Sequence, residues 1–378
     1  MDFTKLTAFL DDFPKKGLPE ADLAVTLNGE PVYRHMTGYS DAARTKPASA
    51  DDLYWIYSTS KVITCVAAMR LVEEGRISLD DPVSKYLPAY KDITVKRPDG
   101  SITPAKNEMK VLHLFLMGGG LDYDKEPPAV LELLKTKPDA STAEVCNALA
   151  YKPLAFEPGT HYKYSLCHDV LGGIIEVVTG MKFGEYLKKN IFEPLGMNDT
   201  GFYPNEEQLS RIVDIYDFSR GDGSAVLHGP VTPCRLSGAY ESGGGGMFSK
   251  TDDYIKFVTC IANGGRTPDG FSILRPETIE MLKVPRLCPA ARADMVNTRL
   301  HGYSWGLCGR VHENAVYSMS KSPVGEFGWD SAGAAFCMMD TENHVALFLA
   351  CHVLGCNYAY HVLHPWMRNL VYECLGLA

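Results

Sequence analysis

Residues Tyr54–Gly75 read "YWIYSTSKVITCVAAMRLVEEG". After Lys61 the stretch has the composition of a buried helix, with Val62, Val66, Met69 and Leu71-Val72 marking an apolar side and Gly75 placed as its stop. Ser58 and Lys61 stand at its head in an S-x-x-K spacing. On a helix, residues i and i+3 share a face, so the ammonium can lie beside the hydroxyl. A helix N-terminus also stabilises negative charge, as a serine alkoxide or an oxyanion would carry. The competing reading is a capping serine followed by a solvated lysine. A cation in the first turn opposes the helix dipole, which favours the chemical reading.

Two other serines compete. "YSMSKSP" repeats the S-x-x-K spacing at Ser318 and Lys321, but Pro323 follows and no apolar helical period begins, so this segment reads as a turn after a strand. "GYSWG" around Ser304 matches the G-x-S-x-G elbow, which requires strand, sharp turn and helix. Here "LCGRVHENAVYS" follows, a strand-and-hairpin pattern, so Ser304 is expected to be an ordinary strand residue.

The rest of the chain gives the context. "ADLAVTLNGEPVYRHMTGYSD" alternates around Asn28-Gly29 and predicts a β-hairpin. Strand-like alternation returns near 303–318, 333–340 and 344–353, and helices are expected from "KTDDYIKFVTCIANGG" and over about 358–375. Strands at both ends with helices between predict an α+β domain over 1–378. Its antiparallel sheet is built from both chain ends and flanked by helices. The expected sheet lobe covers about 1–80 and 231–378, and a mainly helical lobe about 81–230.

A net charge of −9 argues against nucleic acid or an anionic membrane as partner. "VALFLACHVLG", the best apolar run, is too short to span a bilayer. "MDFTKLTAFLDDF" lacks a basic n-region, so no signal peptide is expected. Eleven cysteines without a C-x-x-C, several in apolar runs such as Cys65 and Cys260, suggest free thiols in a reducing cytoplasm. The histidines show no metal-ligand spacing; His161, His168 and nearby Asp169 read as structural or solvated. The run Gly243–Gly246 lacks the Lys-Ser/Thr of a phosphate loop and reads as tight backbone packing near the site.

With these segments in view, the chain resembles the penicillin-recognising serine hydrolases: class C β-lactamases, DD-peptidases, and esterases and acyltransferases of the same β-lactamase/transpeptidase-like fold. "LYWIYSTSKVITCVAAMRLVEEGRISLDDPVSKYLPAY" resembles the nucleophile helix and "VLHLFLMGGGLDYD" the leucine-rich segment after it. "FEPGTHYKYSLCHDVLGGIIEVVTG" is similar to the catalytic-tyrosine block, and "ESGGGGMFSKTDDYIKF" to a glycine-rich turn and helix. "FGWDSAGAAFCMMDTENHVALFLACHVLG" stands in the place of the third motif. The resemblance implies Ser58 as nucleophile, Lys61 as its partner and Tyr164 as the second proton-handling group. It implies oxyanion donors in the Ser58 and Ala332 amides, and substrate contacts from Tyr123, Trp329 and Ser331. Two departures narrow the branch. Leu166 replaces the asparagine of Tyr-x-Asn, and Trp329-Asp330-Ser331 replaces Lys-Thr-Gly or His-x-Gly. The amide and cation that would hold a β-lactam are missing, and a neutral ester needs neither. The pattern resembles the family VIII carboxylesterases.

The expected activity is therefore cleavage of small carboxylic esters through a Ser58 acyl-enzyme, with no metal or organic cofactor. A β-lactamase or D-amino-acid peptidase, an acyltransferase, and a binding protein without turnover are the alternatives. No motif speaks to oligomeric state.

Overall fold

The computed structural model describes residues 1–124, 126–218, 226–229, 234–296 and 300–378. Its centre is a seven-stranded antiparallel sheet formed from both ends of the chain. In chain order the strands are β1 (Glu20–Leu27), β2 (Glu30–Gly38), β3 (Tyr303–Gly306), β4 (Gly309–His312), β5 (Phe327–Asp330), β6 (Phe336–Asp340) and β7 (Val345–Ala350). Across the sheet they run β2-β1-β7-β6-β5-β4-β3, so the N-terminal hairpin docks on the sheet's last strand in chain order. Leu23 pairs with Leu349 and Val25 with Leu347. Asn28 and Gly29 turn the hairpin with φ of +53° and +85°, the two positive values that a two-residue type I′ turn requires.

Side chains of β7 alternate between two cores, as the two-residue period of a strand dictates. Val345, Leu347 and Leu349 join a cluster with Leu6 and Leu10 of helix α1 (Thr4–Asp11) and with Met367 and Val371 of the C-terminal helix. Ala346, Phe348 and Ala350 face the larger cluster, which reaches from the sheet into the helices of the chain's middle. Both faces of β7 are covered, which is why its sequence is an unbroken apolar run.

Three helices frame the site from that larger cluster: α2 (Ser60–Glu73), α3 (Cys167–Thr179) and α4 (Thr251–Ala262). The last helix, α5 (His364–Leu375), follows a π-helical turn at Ala359–Leu363. Helix α2 differs from its expected one-sided burial. Residues Ser60–Met69 are all buried, because α3, the sheet and the glycine run surround it. The expected strand run at 303–318 is also shorter. It divides into β3 and β4 and then a helical turn, Ala315–Ser318, whose amides are capped by Asn314 Oδ1. Among the described residues no helix is long and apolar enough to cross a membrane.

Candidate active site

Ser58 sits on a 3-10 turn, Tyr57–Thr59, between a short strand and α2, rather than at the cap of the helix; α2 begins two residues later. Tyr54–Trp55 pairs with Phe248–Ser249, and the Ile56 N–H donates to Met247 O at 3.0 Å. From this fixed strand the chain turns sharply, with Tyr57 at φ +42°, a left-handed conformation that costs a non-glycine residue of order 1–3 kcal/mol. Packing holds the turn. Tyr254 of α4 donates its hydroxyl to Thr59 O at 2.8 Å. A Cβ on Gly333 would lie 2.9 Å from the Tyr57 ring, so only glycine lets the segment after β5 come this close. The outcome is a partly exposed hydroxyl on a buried, braced backbone.

Lys61, 2% exposed, donates to Ser58 Oγ at 3.2 Å. It also donates to the carbonyl of Gly244. Its Nζ lies 4.7 Å from the centre of the Tyr164 ring and 5.5 Å from that of Tyr123. Two π-faces and two oxygens thus solvate the buried ammonium, and among the described residues no carboxylate lies within ion-pair distance. Tyr164, just before α3, accepts a hydrogen bond from Trp329 Nε1 at 2.8 Å. Its ring packs against Trp329, Tyr123 and Trp305. The structure therefore brings Ser58, Lys61, Tyr164, Tyr123 and Trp329 to one place.

The turn after β5 carries the remaining expected residues. Ala332 is exposed, and among the described residues neither its N–H nor that of Ser58 has an acceptor. Ser331 departs from the expected substrate contact. It is 2% exposed, and its Oγ accepts the N–H of Ala335 at 3.1 Å, so its side chain serves the turn.

Several residues around the site have partners that the sequence did not show. Gly244 supplies a carbonyl to Lys61, where the sequence suggested only close packing. Trp305 donates its indole N–H to Phe115 O at 2.9 Å and meets Trp329 edge-on at 4.5 Å, forming the wall behind Tyr164. Its one sequence signal was its place beside Ser304, which is buried mid-strand as expected. Asp169 accepts from Tyr240 at 2.8 Å and from Ser242, and the glycine run packs on it. His168 lies buried against Cys65 and Phe115 O, and burial drives its pKa down to about 3, so it is neutral at working pH. His161 instead pairs with Asp294 at 2.9 Å. In the second S-x-x-K copy, Lys321 pairs with Glu373, and Ser318 is bonded to His312.

The beta-lactamase family pattern matches residues 6–357 of the 378. The chain belongs to the beta-lactamase family. Within it, the chain is similar to Esterase EstB of Burkholderia gladioli, 29% identical over 358 residues that cover 87% of this chain and 86% of that one. It is also similar to the lovastatin esterase of Penicillium rubens, 29% identical over 287 residues, 71% of this chain and 69% of that one. Among solved structures, EstCE1, described as a hydrolase with promiscuous acyltransferase activity, superposes with a TM-score of 0.78 at 24% identity and 98% coverage of both chains. That likeness shows the shared beta-lactamase-like fold.

Proposed function

We propose that this chain is a serine carboxylesterase that cleaves small, neutral carboxylic esters through an acyl-enzyme on Ser58. The observation that carries the reading is the convergence of the Ser58 hydroxyl, the Lys61 ammonium and the Tyr164 phenol, with a neutral indole donor on the phenol oxygen. Acyl transfer needs a nucleophile, a group to take its proton, donors for the oxyanion and an acid for the leaving group. Ser58 attacks the carbonyl carbon. In the reactive state the Lys61 nitrogen and the Tyr164 oxygen hold a single titrating proton between them, one fewer than ammonium plus phenol, so the coupled pair takes the proton that Ser58 releases and Tyr164 passes it to the departing alcohol. The N–H groups of Ser58 and Ala332 receive the oxyanion, each such donor being worth about 10²–10³ in rate. Water then releases the acid and restores Ser58. Tyr123 and Trp329 wall the ester site. No step calls on a metal or organic cofactor.

The names of the esterase relatives support the ester as substrate. The absence of a cation at position 329 and of an amide at 166 supports an ester over a β-lactam or D-amino-acid peptide. Acyl transfer to an alcohol proceeds from the same acyl-enzyme, and the EstCE1 likeness makes it the second reading. A reducing, cytoplasmic location is supported by eight buried free thiols.

The test is a fluorophosphonate probe followed by a substrate pair. Wild type is expected to label at Ser58, Ser58→Ala to lose both label and turnover, and Ser304→Ala to keep both. Hydrolysis of a p-nitrophenyl acyl ester should far exceed that of a chromogenic cephalosporin. The reverse order of rates would make the protein a β-lactamase, and absence of labelling would make it a binding protein. Adding an alcohol acceptor and measuring new ester reads out transfer.

A further inference from the structure

Trp329 and Asp330 are neighbours on β5, so their side chains leave the sheet on opposite faces. Trp329 faces the Ser58 site. Asp330 faces a separate cavity of about 260 Å³, closed behind by α5. Two arginines line it, Arg310 of β4 at 2% exposure and Arg368 of α5 at 3%. Arg310 is spoken for by Glu326, at 2.8 Å. Among the described residues Arg368 has no hydrogen-bond acceptor and no ion pair. Its guanidinium lies 5.5 Å from the centre of the Tyr303 ring, and its Nε is buried without a partner. A buried charge is ordinarily paired, because leaving water uncompensated is expensive. A guanidinium offers a planar fork of donors that fits a carboxylate bidentately, and the walls beside it, Tyr303 and Phe336, are aromatic.

We propose that this cavity is a binding site for a small organic carboxylate, held at its charged end by Arg368 and along its apolar body by Tyr303 and Phe336. The site is tied to the reaction centre by Tyr360. That side chain lines the cavity, and its hydroxyl donates to the carbonyls of Ser331 at 2.8 Å and Ala332 at 3.2 Å. An occupant that shifts Tyr360 shifts the turn bearing the Ala332 N–H. Binding is independent of the esterase reading; the effect on turnover rests on it.

Calorimetric titration of the full-length Ser58→Ala protein with benzoate, benzyl alcohol and inorganic phosphate tests the site. Benzoate is expected to bind one to one, benzyl alcohol not at all, and phosphate more weakly than benzoate. Arg368→Gln should weaken benzoate about tenfold or more, the cost of losing charge-assisted hydrogen bonds. Met319→Asp places an acid on the rim, at a side chain 79% exposed and remote from the core, and should weaken it several-fold, more at low salt than at high. This variant decides the matter if Arg368→Gln does not fold. No binding of benzoate, or binding unchanged in the folded variants, overturns the proposal; phosphate binding as tight as benzoate overturns the carboxylate assignment. In wild type, benzoate should change ester turnover, and Arg368→Gln should abolish that change. Binding with no effect on turnover overturns the link through Tyr360, while failure of ester hydrolysis itself leaves the calorimetric result standing.

Discussion

The proposed chemistry turns on what surrounds two side chains. Lys61 is held by a carbonyl, a hydroxyl and two aromatic faces, and Tyr164 by one indole N–H. Trp329→Phe keeps the wall and removes the donor. Its expected effect is a fall in kcat of about tenfold with KM little changed, since a single hydrogen bond to a reacting oxygen is lost while apolar contact survives. Steady-state kinetics on a p-nitrophenyl ester measures it. An unchanged kcat would leave Trp329 a pocket wall only. At this scale the sequence was informative about residue types and poor on their surroundings. The S-x-x-K spacing and Tyr164 were visible; the Gly244 carbonyl and Trp305 were not, because a carbonyl has no sequence signature and tryptophan usually marks a core.

At the scale of elements, the segment Glu241–Gly246 does more than permit close approach. A Cβ on Gly244 would lie 2.2 Å from Asp169 Oδ2, and Asp169 is locked by Tyr240 and Ser242. Gly244→Ala must therefore push the loop, and the carbonyl that holds Lys61 moves with it. A loss of about 1–3 kcal/mol in stability is expected from overpacking, with a fall in kcat that exceeds what the folded fraction explains. Thermal melting beside kinetics separates the two.

Glu241, at the start of that segment, is 6% exposed, and burial raises its pKa to about 7 against the opposing hydrogen bond from the Gly184 N–H. The unfolded chain releases this proton near pH 4.3, so the folded state holds the extra proton between roughly pH 4.3 and 7. Stability from this group is whole below that window and is lost as pH rises through it. Glu241→Gln keeps an acceptor for Gly184 without the charge. It should match wild type near pH 4.5 and exceed it by on the order of 2–3 kcal/mol at pH 8. Denaturant unfolding at both pH values checks the sign, and equal gains at both would refute it.

Across the whole molecule, both chain termini complete one sheet, and the helices at each end cover its far face. Among the described residues there is no disulfide, and eight of the eleven cysteines are buried thiols. A thiol reagent should react rapidly with Cys234 and Cys288 in the native protein, slowly with the partly covered Cys374, and with all eleven in denaturant. Reductant should leave the melting temperature unchanged. Rapid reaction of more than two thiols would show that the native core is looser than described.

Read alone, the sequence determined the elements whose signals are local. The hairpin at Asn28-Gly29 follows from two residues that tolerate positive φ. The helix after Lys61 follows from an apolar run stopped by Gly75, and the proposal of Ser58 as nucleophile from its spacing to Lys61 together with the motifs it resembles. Only the tertiary structure decided how those pieces are used. It began α2 after a strained turn, because Tyr254 at Thr59 and Gly333 at Tyr57 brace that turn from distant parts of the chain. It gave Ser331 to the turn, and it placed Arg368 against a cavity with its Nε unpartnered among the described residues. Distances between residues far apart in the chain are set by packing, and packing is a property of all the side chains at once, which no single stretch encodes.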